Sequence, residues 1–289
     1  MRAGSGARWH IKKAARTGVA ISARMSGWLA LRSALARQSA VRVLTYHRFA
    51  DTPRDPFSVR REHFDAQMSW LASSCRVISL DDLERFMAGV IQLPDRAVLV
   101  TIDDGCPSLF TEALPILRRH AIPAVVFVPA GELADERTAR VTDADEAHDR
   151  ISWHELVQVA EAGCTIGSHA WTHRSLGRMS VSEAHEQASR SRALLKERTG
   201  QRIGAFAYPY GTRADFNATT AAILRETGYT CAFTSQHGAV RAGADPFYIP
   251  RIKVEGGEGS WMFRLLVSGG LDGWQWIDRV LWRFQETGV

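Results

Sequence analysis

The sequence predicts an α/β fold: a parallel sheet with covering helices, able to close into a barrel. Two observations carry this. From Val41 onward, short apolar β-rich runs alternate with helical stretches. One of these runs, Ala97–Ile102, is continuously apolar, as in strands buried on both faces of a parallel sheet. The length of 289 residues suits such a domain, since an α/β barrel alone uses about 200–250 residues.

The elements follow in order. Val41–Tyr46 reads as the first strand. Glu62–Ser74 places Phe64, Met68 and Leu71 on one helical face. Arg76–Leu80 is a short strand, and Asp81–Gly89 a helix that opens on acids and stops at glycine. After Ala97–Ile102 come a helix over Pro107–His120 and a strand over Ala124–Val128. Ser152 with Glu155, and Ser180 with Glu183, are capping-box pairs opening helices that run to Gly163 and Thr199. Strands over Thr165–Ser168 and Ala205–Tyr208, a helix over Ala214–Thr227, and strands over Tyr229–Thr234 and Tyr248–Val254 complete the pattern. Leu133–Arg150, acidic and without apolar period, reads as a surface excursion. Ser260–Phe284 carries Trp261, Trp274, Trp276 and Trp282 on two helical pieces around Gly269–Gly273, with core packing favoured over glycan stacking or membrane contact.

Composition excludes several classes. Hydrophobic residues are 45% and charged residues 23%, which argues against a disordered, collagen-like or polytopic membrane chain. The four cysteines are far apart with no C-x-x-C, so neither a zinc ribbon nor a disulfide scaffold is expected, and free thiols in a reducing compartment are. The net charge of +5 is uneven: residues 1–50 hold ten Lys or Arg and no acid, so the rest of the chain is net acidic. No nucleic-acid module accompanies the basic arm, and nucleic acid is not expected as a partner. Arg24 and Arg32 interrupt Val19–Leu35, so no clean secretory h-region forms, and no run of 18 apolar residues occurs. The arm is expected either to lie on anionic lipid through Trp28, Leu29 and Leu31, or to pack on the domain itself. A cytoplasmic protein, peripheral at the inner membrane face, is the expectation; export through the arm and a transit-peptide role stay open.

Function in such a barrel sits at the C-terminal ends of the strands. There the sequence places His47 after the first strand, Asp103-Asp104-Gly105 after Ala97–Ile102, His169 and His173 after Thr165–Ser168, and Pro209-Tyr210-Gly211 after Tyr208. Two histidines four apart can face one point, and with one carboxylate they leave a position on a divalent metal open for water. One acid would suffice to cap the helix after Gly105; two after an apolar strand carry an electrostatic cost that a metal offsets.

These residues resemble a known family. Thr-Ile-Asp-Asp-Gly (101–105) is similar to the first motif of the polysaccharide deacetylases, carbohydrate esterase family 4, with its nodulation-deacetylase-like domain. His-Ala-Trp-Thr-His (169–173) resembles their H-[ST]-x-x-H motif, with Ala170 at the Ser/Thr position, and Phe-Ala-Tyr-Pro-Tyr-Gly (206–211) their third. Tyr46-His47-Arg48 and Ile249-Pro250-Arg251-Ile252 are similar to flanking segments, so the resemblance spans about residues 41–255. It implies a distorted, seven-stranded (β/α) barrel, here with added N- and C-terminal helices, that removes N-acetyl or occasionally O-acetyl groups from a sugar. The implied domains are a basic amphipathic arm (1–40), the barrel (41–255) and a Trp-rich helical extension (256–289).

Carried over by position, Asp104, His169 and His173 would bind one divalent metal, zinc first, with cobalt, nickel or manganese also suited. Asp103 would be the general base. A backbone N–H in the turn Tyr208-Pro209-Tyr210 would receive the oxyanion. The family's arginine before its third motif is replaced here by Ala207, and Arg251 is the candidate to orient the base instead. No D-x-x-D-W motif follows Gly211, and the Leu-x-His acid motif is not evident. His47 is the candidate acid or substrate contact, and His237, in a polar stretch, reads as surface. The expected substrate is an N-acetylhexosamine glycan or a lipid-linked saccharide. A carbohydrate-binding protein that kept the fold without turnover, and a hydrolase of another non-peptide amide, are the alternatives.

Overall fold

The computed structural model describes residues 6–25, 39–53, 55–133, 150–275 and 278. Helix α1 (Gly6–Met25) precedes β1 (Arg42–Tyr46). Then come α2 (Arg61–Ser74), β2 (Arg76–Val77), α3 (Leu80–Met87), β3 (Ala97–Ile102), α4 (Leu114–Arg119) and β4 (Ala124–Val128). The second half holds α5 (Trp153–Glu161), β5 (Thr165–Ser168), α6 (Val181–Thr199), β6 (Ala205–Ala207), α7 (Ala218–Glu226), β7 (Cys231–Phe233), β8 (Ile252–Lys253) and α8 (Ser260–Val267).

Every ladder is parallel, in the order β7-β6-β5-β4-β3-β1-β8, with β2 beside β3. Phe233 also bridges Ile249 in parallel, so the segment 249–253 joins both ends of the sheet. This is the curled, distorted (β/α) barrel that the sequence predicts.

Strand parity sorts the core. Even positions such as Leu44, Val98, Val100, Val126, Ile166 and Phe206 pack outward under the helices. Odd positions such as Val43, Leu99, Val125, Phe127, Ala205 and Phe233 fill the barrel. That is the period of two expected of a strand. Phe127 and Phe233 meet at 5.2 Å in the interior. Gly167 makes room for them: a Cβ there would lie 2.5 Å from the Phe127 ring.

Local chemistry sets the helix starts. Ser79 with Asp82, Ser152 with Glu155, and Ser180 with Glu183 each form a complete capping box. The first of these was not expected. The helix expected over Pro107–His120 is instead a π-type turn at Leu109–Ala113 leading into α4. Pro115 lacks the N–H that a continuous α-ladder needs, and Leu114 N–H reaches back to Leu109 O.

Helix α1 packs on the barrel. Its Arg16 is only 1% exposed. Arg16 Nε donates to Glu258 Oε1 at 3.1 Å, Nη2 donates to Lys253 O at 2.9 Å, and Nη1 lies 3.4 Å from Glu255 Oε1. His237, expected at the surface, is buried in the same cluster, because Asp278 accepts from both its backbone N–H and its Nδ1 side at 2.7 and 3.0 Å. The lipid-facing expectation for Trp28, Leu29 and Leu31 lies outside the described residues, as do Trp276, Trp282 and most of the 133–150 excursion. Trp274 is buried, whereas Trp261 is half exposed. No helix among the described residues is long and apolar enough to cross a membrane.

Candidate active site

The odd parity that fills the barrel continues past the strand ends. His47 continues the inward positions of β1, Asp103 those of β3, His169 those of β5, and Arg251 stands two residues after Ile249. The barrel thus brings together four polar side chains, from the ends of β1, β3 and β5 and from the segment before β8. Phe127 forms their floor, with the Arg251 guanidinium carbon 5.7 Å from its ring centre.

Asp104 has the wrong parity for an inward residue, and the backbone corrects it. Its φ is +71°, and those of Ala170 and Tyr210 are +69° and +62°. Side chains rarely adopt this left-handed region, and strain of this kind clusters at functional sites. The first of these turns also needs Gly105, whose Cβ would meet Val128 at 2.8 Å.

Asp104, His169 and His173 form a cluster whose ligand atoms all lie within 4.8 Å of one another. His173 Nε2 is 3.3 Å and His169 Nε2 3.6 Å from Asp104 Oδ1. His169 Nδ1 lies 2.7 Å from Ala207 O. That carbonyl can only accept, so Nδ1 carries the proton and Nε2 offers its lone pair to the cluster. Burial first, then the neighbouring His173, push His169 down to about 4, so the ring is neutral near pH 7. Burial alone would raise Asp104, but its contact with His173 and the other nearby histidines hold it far below the usual carboxylate range. Asp104 Oδ1 is buried with no hydrogen-bond donor among the described residues. A buried carboxylate oxygen with the Nε2 atoms of two imidazoles beside it fits a cation.

Asp103 faces Arg251. Two guanidinium nitrogens each lie 2.7 Å from a carboxylate oxygen, and Nε donates to Thr234 O at 2.9 Å. Burial would raise the Asp103 carboxyl; Arg251, His169 and His47 outweigh it and hold the group ionised. His47 packs edge-on to Phe57 at 4.9 Å, and its buried Nδ1 has no hydrogen-bond partner among the described residues. Burial lowers it to about 4, against the opposing pull of Asp104 and Asp103.

The turn after β6 separates its three residues. Tyr208 N–H donates to Phe233 O at 3.0 Å, and its ring is buried against Phe216 at 5.2 Å. Its expected place at the oxyanion is therefore corrected: both its amide and its ring serve packing. Pro209 has no N–H to give. Tyr210 N–H has no acceptor among the described residues, and its ring lies 4.8 Å from His173 at the mouth.

Glu132 and Arg150 join the site without having been expected from sequence. Glu132 Oε1 accepts the His173 backbone N–H at 2.8 Å, and Oε2 accepts from Arg150 Nη2 at 2.9 Å. Their one sequence signal is position, at the two ends of the acidic excursion.

Comparison with known proteins shows what the chain is similar to. Residues 91–232 match the family model described as polysaccharide deacetylase. The chain is 25% identical over 208 residues to a poly-beta-1,6-N-acetyl-D-glucosamine N-deacetylase of Staphylococcus aureus, covering 68% of each chain. It is similar to the structure of IcaB from Ammonifex degensii, with a TM-score of 0.66 and 27% identity, over 80% of this chain and 97% of that one. The fold is also that of the Streptococcus pyogenes deacetylase PplD, with a TM-score of 0.68 and 19% identity, over 80% and 99% of the chains.

Proposed function

Because the chain belongs to the polysaccharide deacetylase family and is a hydrolase of carbon–nitrogen bonds other than peptide bonds, we propose that it removes N-acetyl groups from an N-acetylhexosamine glycan in a metal-dependent reaction. The observation that carries this is the buried Asp103–Arg251 pair beside the Asp104, His169 and His173 cluster. A structural metal site needs no separately held carboxylate next to it; a hydrolase does.

Asp104, His169 and His173 would hold the metal, with zinc the first choice and cobalt, nickel or manganese also suited to this donor set. When bound, the metal supplies Lewis acidity toward water and the acetyl carbonyl. Asp103 takes the proton of the attacking water, and Arg251 keeps its carboxylate ionised and aimed. Tyr210 N–H donates to the oxyanion that forms as water adds to the carbonyl. The proton held by Asp103 must reach the leaving nitrogen as the C–N bond breaks, and we assign its delivery to His47. The products are acetate and a free amine. The named Staphylococcus relative supports a polymer of N-acetylglucosamine as the first substrate to try; a lipid-linked saccharide is the second.

The test is acetate release from N-acetylglucosamine oligomers by metal-loaded protein. Release that stops with a chelator and returns with zinc supports the reading. Metal-loaded protein that releases no acetate from any N-acetylated oligomer would overturn it.

A further inference from the structure

Helices α1 and α8 meet in an outward face that the barrel chemistry does not use. Arg16 and Ala20, one turn apart, point inward and pin α1 to the barrel. This leaves Ile21, Arg24 and Met25 outward. On α8, Met262, Phe263, Leu265 and Leu266 point inward, leaving Trp261, Arg264 and Ser268 outward. Arg24 of α1 and Ser260, Trp261, Arg264, Leu265 and Ser268 at α8 line an open depression of about 420 Å³ between the two helices. Among the described residues, Met25 is 82%, Trp261 50% and Ile21 37% exposed, three of the six large apolar side chains that face solvent. One of the other three, Tyr210, belongs to the active-site mouth.

The charge on this face has one sign. Neither α1 nor α8 contains an Asp or Glu. Apolar side chains and a tryptophan, ringed by arginines, are the composition of a surface that enters a lipid interface. A second copy of the chain is a poor occupant: pairing this face with itself across a two-fold axis would oppose like charges. We propose that the α1–α8 face is a docking surface for an anionic phospholipid bilayer. Met25, Ile21 and Trp261 enter the headgroup layer, while Arg24 and Arg264 meet lipid phosphates. The surface is built from two described helices, and it is independent of the substrate assigned above.

The test uses the full chain with vesicles of phosphatidylglycerol and phosphatidylcholine, or of phosphatidylcholine alone. The wild type is expected to co-sediment with the anionic vesicles only. The double variant Arg24→Glu with Arg264→Glu, and the double variant Met25→Ser with Trp261→Ser, should each weaken this by about tenfold or more. Val181→Ser, an exposed apolar site elsewhere, should leave it unchanged. Unchanged melting curves and acetate release would show that the variants are folded. Anionic vesicles that fail to bind the wild type, or that bind both face variants as tightly, would overturn the proposal. So would dimerisation that the same substitutions abolish, since the face would then be covered by a second copy.

Discussion

Arg251 and Asp103 form a two-pronged ion pair, both partners buried, with two nitrogen–oxygen separations of 2.7 Å. The pair joins the end of β3 to the segment before β8. Thr234 O fixes the guanidinium from a third side.

Arg251→Lys tests that relationship. Lysine keeps the charge but loses the planar fork, so turnover should fall by about tenfold to a hundredfold. Arg251 holds the Asp103 carboxyl down, so weakening it lets the carboxyl rise. The acid limb of the pH–rate profile should then move to higher pH. An unmoved limb would show that Arg251 does not tune the base. Arg251→Ala should cost about 3–5 kcal/mol of stability, because a buried carboxylate loses its partner.

Glu132→Ala should weaken metal binding by about tenfold to a hundredfold, since the His173 backbone loses its acceptor. Glu132→Gln keeps an oxygen for that N–H and should restore most of the affinity. Titration of chelator-stripped protein with zinc reads this without any turnover. Equal affinity in all three proteins would remove Glu132 from the account.

The metal-free protein should lose stability as pH falls from 6.5 toward 4. His47 and His169 are both lowered from 6.5 to about 4 in the fold, first by burial. In this window the unfolded chain binds protons that the folded chain refuses, so the stability present above 6.5 declines on acidification. Each ring contributes on the order of 3 kcal/mol. Denaturant melts across this range should show the decline, and His47→Gln should remove about half of it. Melts that are flat from 6.5 to 4 would contradict the burial of both rings.

Much of this site was legible because its residues stand immediately after apolar runs. Asp103, Asp104, His169 and His173 each follow a strand that the sequence marks plainly, and the parity of those strands aims Asp103 and His169 inward. Arg251 was legible as a candidate from its run, but its partner was a matter of barrel closure. Asp104 needed a left-handed turn that no pattern announces. Glu132 and Arg150 were hidden because they look like the ends of a polar loop; Glu132 reaches His173, and Arg150 reaches Glu132, only through long-range contacts. Tyr208 misled because its neighbours carry a motif, while its own amide belongs to the β6–β7 ladder. His237 looked exposed because its sequence neighbours are polar; its partners, Asp278 and Arg16, lie far away in the chain.

Arg16 is the corresponding test of the fold. Arg16→Met should destabilise the protein by about 3–5 kcal/mol, since Glu255 and Glu258 stay buried without their cation. Adding Glu255→Gln and Glu258→Gln should recover much of the loss. A single variant as stable as the wild type would mean that α1 is not held through this cluster.

The most direct measurement separates the base from the metal ligands in one sample. Asp103→Asn and His169→Ala are loaded with zinc, and bound metal and acetate release are read together. The account predicts that Asp103→Asn keeps about one metal per chain yet loses turnover by about a hundredfold or more, whereas His169→Ala loses both. Acetate release by Asp103→Asn at the wild-type rate would contradict the assignment of Asp103 as the base.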